Sequence, residues 1–168
     1  MNILVLPGNN PQTESWATHL LKELETPNWT MGVQHYKHWD SDEAQFVNIN
    51  DEVERLQGCQ IDLLMAKSAG VMIGLLAYAK GIIAPQRFIF VGTPVVGFRE
   101  EKTELRPLVS KLNVPCLFIQ QTNDKAGSCA SLREEIADIP LVELVEIPGE
   151  DHQYREVKLL AKHIKRWL

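Results

Sequence analysis

Apolar positions along the chain fall into short unbroken runs, and polar-apolar stretches with helical spacing separate them. Asn2–Leu6, Met31–Tyr36, Ile61–Met65, Phe88–Val91, Val114–Ile119 and Leu141–Ile147 are the six runs, and each predicts a strand. Between them, Gln12–Leu24 places Trp16, Leu20, Leu21 and Leu24 on one helical face. Ile49–Leu56, Ala69–Ala79, Leu105–Leu112, Ser128–Ile136 and Gln153–Leu168 complete the expected helices, with Asn48 or Asn50 available to cap the first of these. Strands without apolar-polar alternation, each followed by a helix, predict a parallel sheet buried on both faces. The expected fold is therefore a three-layer α/β/α sandwich with a mostly parallel six-stranded sheet. Right-handed crossovers in such a sheet bring ligand chemistry to the carboxyl ends of the strands.

Composition narrows the setting. A chain of 168 residues with 45% hydrophobic and 23% charged residues suits one globular domain spanning 1–168. Its net charge of −5, without any long basic run, speaks against nucleic acid or an anionic membrane as the main partner. Ala69–Ala79 is too short to cross a bilayer, and nothing at the N-terminus reads as a signal peptide. Cys59, Cys116 and Cys129 have no paired spacing and read as reduced thiols in a cytoplasmic protein, Cys116 in the core and Cys129 partly exposed.

Four loops that follow strands carry the candidate chemistry. In Ala66-Lys67-Ser68-Ala69-Gly70, a serine stands between a strand and a helix with small residues two positions away on either side. A nucleophile on such a sharp turn needs those small neighbours, and the helix start puts the Ala69 N–H beside an oxyanion. The same residues also suit a serine that merely caps a buried helix. Asp124 follows the fifth strand and His152 the sixth, so the order Ser, acid, His recurs at successive strand ends. Asp124 read alone suits an Asx turn before Gly127, and His152 a helix start beside Gln153. Glu150 and Asp151 adjoin His152 too closely in sequence to orient its ring, which favours Asp124 as the acid. After the first strand, Pro7-Gly8-Asn9-Asn10 offers the Asn9 N–H as a second oxyanion donor, or else is an ordinary βα loop.

These stretches, namely Leu6-Pro-Gly-Asn with Trp16 downstream, Lys67-Ser-Ala-Gly, Asn123-Asp124 and Gly149-Glu-Asp-His152, resemble a compact α/β-hydrolase. Among these the chain is most similar to the short serine hydrolases of the retinoblastoma-binding-protein type. The resemblance implies a truncated sheet without a large cap and esterase-like hydrolysis of small esters, thioesters or amides, with no cofactor or metal. Ala66 departs from the usual glycine of the elbow, and Pro7-Gly-Asn-Asn is unusual in the oxyanion turn.

Asn10, Trp39, Val95 and Phe98 are the candidate pocket residues, the last two on a short loop over 92–104 where larger hydrolases insert a lid. His35-Tyr-Lys-His38 with Asp40 and Asp42 lacks a metal-binding frame and reads as a solvated or pocket-rim loop. The expected partner is a small acyl substrate, with any homo-oligomer left open. The alternative is a hydrolase fold kept as a partner-binding or regulatory module, in contact through the 92–104 loop.

Overall fold

The computed structural model describes residues 1–168. Six strands form one sheet in the order β2-β1-β3-β4-β5-β6, every neighbouring pair parallel. They are β1 (Asn2–Leu6), β2 (Thr30–Val33), β3 (Leu63–Lys67), β4 (Arg87–Val91), β5 (Cys116–Gln121) and β6 (Val142–Ile147). The intervening helices are α1 (Gln12–Leu24), α2 (Ile49–Glu54), α3 (Ala69–Ala79), α4 (Val95–Glu100), α5 (Leu105–Val109), α6 (Cys129–Ile136) and α7 (Val157–Trp167).

The parallel strands explain the unbroken apolar runs, because alternate residues of one strand serve two different cores. Leu64, Ala66, Phe88, Phe90, Cys116 and Phe118 pack against α2, α3, α5 and α6 on one face. Leu63, Met65, Ile89, Val91, Leu117 and Ile119 pack against α1 and α7 on the other. α3 is apolar nearly all round because it lies against the centre of the sheet, with seven residues from Gly70 to Ala77 buried.

The strand order reverses its direction of growth at β1, which has β2 on one side and β3 on the other. In an open α/β sheet the crevice at such a switch point is where ligands bind. Here it places the loop after β1, containing Gly8 and Asn9, beside the turn after β3, containing Ser68.

Element boundaries differ from expectation in physically traceable ways. β2 ends at Val33, three residues early, and the chain leaves the sheet edge into a 3₁₀ turn over Lys37–Asp40. Tyr36 turns inward there, fully buried, and its hydroxyl donates to the Pro7 carbonyl at 2.7 Å. The 92–104 segment is not an open loop. Its α4 is one short helix after Pro94, and Val95 and Phe98, three apart on that helix, both point into the core. Closing α7 begins at Val157 rather than Gln153, because His152 and Tyr154 adopt left-handed backbone conformations that no helix accommodates. Cys129 is buried rather than partly exposed. No helix is long and apolar enough to cross a membrane.

Candidate active site

Ser68 stands at the end of β3 with φ 52° and ψ −118°, a strained conformation for a residue with a side chain. Its neighbours make the turn sterically possible. A Cβ on Gly70 would lie 2.2 Å from the Leu6 carbonyl oxygen and 2.6 Å from that of Pro7, so only glycine fits. Ala66 is tolerated where a glycine was expected, since its methyl lies buried in the sheet between Leu6 and Phe90. The Ser68 side chain does not cap α3, which removes the helix-cap reading of this turn.

The Ser68 hydroxyl donates instead to His152 Nε2 at 2.9 Å. On the other side of the ring, Nδ1 lies 2.8 Å from both Asp124 oxygens. A carboxylate only accepts, so Nδ1 carries the proton and Nε2 is free to take one. The sequence order Ser, Asp, His has become a spatial chain of hydrogen bonds. Asp124 also accepts from the Ala126 N–H at 2.8 Å and from the Tyr154 hydroxyl at 2.6 Å. Burial pushes the Asp124 carboxyl up, but the bonds from His152 and Tyr154 more than offset that and hold it below its ordinary value. It is therefore ionised and fully engaged at neutral pH.

Several supporting residues were not singled out in the sequence. Tyr154 accepts the Gln121 N–H at 2.9 Å while donating to Asp124, and burial followed by the Asp124 bond pushes its hydroxyl far up. Gln121 takes the His152 N–H on its Oε1 at 2.9 Å and donates from Nε2 to Asp151 at 3.0 Å. Gly92 is essential for space, because a Cβ there would come within 2.6 Å of the Tyr154 ring. Lys67 is only 4% exposed, and its ammonium donates to the His152 carbonyl at 3.0 Å between the rings of Trp16 and Tyr154. A charged residue closing an otherwise apolar strand was the one sequence signal that pointed to it.

Asn9 is bound through every polar group but one. Its carbonyl accepts from Trp39 Nε1 at 2.8 Å and His38 Nε2 at 2.9 Å. Its side chain accepts the Val47 N–H at 2.7 Å and donates to the Gln45 carbonyl at 3.1 Å. The Asn9 N–H has no partner in the chain, and neither has the Ala69 N–H at the start of α3. Both residues border the same cleft as Ser68.

Ser68 lies between two clefts. One, of about 450 Å³, includes Asn10, Trp16, Lys67, His152 and Arg155; the other, of about 200 Å³, includes Phe46, Val47, Met72 and Pro94. Asn10 lines the larger cleft. Trp39, Val95 and Phe98 do not line either cleft. Trp39 packs against the core and holds Asn9 from behind, while Val95 and Phe98 are each 1% exposed because α4 turns them inward. The 35–42 segment is likewise a brace: His35 is bound between Glu14 at 2.9 Å and Asp40 at 3.0 Å.

No protein-family model matches the chain, and no curated protein matches its sequence. Solved structures do. An α-β serine hydrolase homologue from Coxiella burnetii superposes with a TM-score of 0.69 at 18% identity, over 100% of this chain and 85% of its own. The fold is that of the α/β-hydrolases. An esterase domain from Rhodothermus marinus gives a TM-score of 0.71 at 16% identity, covering 99% of this chain and 84% of the other. An uncharacterized Bacillus cereus protein gives 0.73 at 17% identity; this chain is covered over 98% of its length but spans only 58% of that protein.

Proposed function

We propose that this α/β-hydrolase-fold protein is a serine hydrolase that cleaves small esters, thioesters or amides through an acyl-enzyme. The observation that carries this reading is the continuous hydrogen-bonded path from Ser68 through His152 to Asp124. His152 Nε2 removes the Ser68 proton as Oγ bonds to the substrate carbonyl carbon, and Asp124 stabilises the imidazolium. The Asn9 and Ala69 amides hold the oxyanion, where loss of one donor commonly costs about 10²–10³ in rate. The imidazolium then returns its proton to the leaving group as the bond to carbon breaks. A water molecule, deprotonated by His152, releases the acid and restores Ser68.

The short cap-free sheet supports placing the chain among small serine hydrolases of the retinoblastoma-binding-protein type. The relatives' names include an esterase domain and a type II thioesterase, in keeping with acyl transfer to water. The test is hydrolysis of p-nitrophenyl acetate and butyrate. The expected result is turnover that Ser68→Ala and His152→Ala each lower by about 10⁴ or more. Turnover that survives both substitutions contradicts the reading.

A further inference from the structure

The two clefts that meet at Ser68 differ in chemistry, and the reaction assigns each of them a part of the substrate. Both assignments rest on the serine hydrolase reading above. General acid catalysis requires the leaving group to lie within reach of His152 Nε2. His152 borders only the larger cleft, while Ala69 borders only the smaller one. The leaving group therefore departs into the larger cleft, and the acyl chain lies in the smaller one beyond the oxyanion donors.

The larger cleft is lined by Lys67, Arg155, His19 and mostly polar side chains, with Trp16 and Val157 as its apolar part, and no carboxylate lines it, although the chain as a whole has a net charge of −5. Lys67 has three N–H donors and spends one on the His152 carbonyl, which leaves two further donors on a side chain that lines the cleft. Two carboxylates lie close to this wall, Asp124 buried and Asp151 exposed. Asp124 is consumed by His152, Tyr154 and Ala126. Asp151 is consumed by Gln121 Nε2 and the Gln153 N–H. Both carboxylates keep their negative charge beside Lys67, but neither lines the cleft, and its permanently ionic lining side chains, Lys67 and Arg155, are cationic.

The smaller cleft is walled by Phe46, Val47, Ile49, Met72 and Pro94, and the exposed Glu100 and Glu101 also line it, so it disfavours an anionic acyl group. Its volume of about 200 Å³ is below the range of about 300–1,000 Å³ usual for drug-sized ligands, so a short chain fills it. Asn9 fixes its outer wall through the bonds to Gln45 and Val47.

We infer that the substrate is an ester or thioester joining a short apolar acyl group to a leaving group that carries an anionic oxygen group, bound by Lys67 and Arg155. The step balances as ordinary hydrolysis: the acyl carbon exchanges its bond to the leaving oxygen or sulfur for one to Ser68 Oγ, and the serine proton leaves with the alcohol or thiol.

The experiment compares S-butyryl mercaptopropionate with its primary amide, which has the same acyl chain and a neutral leaving group, following thiol release. The expected result is a kcat/KM about tenfold or more higher for the anionic thioester, as befits a hydrogen bond between charged partners. Lys67→Met and Arg155→Gln should each reduce that ratio severalfold, and dodecanoyl analogues should react more slowly than butyryl ones. Arg155 is exposed, so its variant keeps the test intact if Lys67→Met does not fold. Equal rates for the two thioesters, or a ratio that neither variant changes, overturn the inference. Labelling of Ser68 by a neutral fluorophosphonate separates the two failures. With labelling and no charge preference, only the substrate assignment falls; without labelling, the hydrolase reading falls and takes the assignment with it.

Discussion

Lys67 Nζ donates to the His152 carbonyl at 3.0 Å, so the residue just before Ser68 holds the backbone of the histidine whose ring Ser68 touches at 2.9 Å. Two consecutive positions at the end of β3 thereby fix both the main chain and the side chain of one residue on the far loop. The geometry of the site is set in common by a strand end and a loop separated by more than half the chain.

This relationship has a pH signature. Burial lowers the Lys67 amine from 10.5 to about 8, against the opposing pull of Asp124 and Asp151. The faces of Trp16 and Tyr154 complete its surroundings without adding charge. Below about 8 the ammonium is present; above it the charge is lost, so any preference for an anionic leaving group should decline as pH rises past that value. Stability moves the other way. Between about 8 and 10.5 the unfolded chain retains a proton that the folded chain has released, so this group's contribution to stability increases with pH. Urea unfolding across that window should show the increase in wild-type protein and not in Lys67→Met.

Replacing Asp124 by Asn should lower kcat by about 10⁴ with little change in fold, because the amide holds His152 in the wrong tautomer. Its carboxyl is depressed in the folded state, so its contribution to stability is present at neutral pH and is lost as pH falls through its folded value. Comparing acid unfolding of wild type and Asp124→Asn checks that sign.

Tyr154→Phe removes the hydroxyl that bridges Asp124 and the Gln121 N–H. The buried Gln121 amide is left without a partner, which should cost about 1–3 kcal/mol in chemical denaturation. Activity should fall far less than for Asp124→Asn, since the bonds between His152 and Asp124 remain.

Gly70→Ala places a methyl against two backbone carbonyls that cannot move without displacing β1. The expected outcome is protein that does not fold stably, read as loss of soluble, cooperatively melting material. Asn9→Ala keeps the free N–H but releases Gln45 and Val47. It should reduce kcat by up to about 10²-fold through misplacement of the oxyanion donor, in protein that still melts cooperatively.

Much of this was legible in the chain. The helices Gln12–Leu24 and Ala69–Ala79 match expectation at both ends, since long periodic or wholly apolar segments leave little freedom. Ser68, Asp124 and His152 are brought together as their order at successive strand ends suggested. What the sequence did not reveal depends on three-dimensional neighbours. Val95 and Phe98 read as pocket residues in the sequence because a six-residue helix is too short to show its period. Trp39 and His38 look like rim residues until both are found bonded to one carbonyl of Asn9. Tyr154 has no local signal at all, because its partners Asp124 and Gln121 lie on another strand and loop.

The proposed chemistry depends first on Ser68 being a nucleophile activated by His152. Intact-protein mass spectrometry after incubation with a small neutral fluorophosphonate tests it most directly. The expected result is a single covalent adduct, mapped to Ser68, absent in Ser68→Ala and strongly slowed in His152→Ala. An unlabelled wild-type protein, or a label that persists in Ser68→Ala, would contradict it.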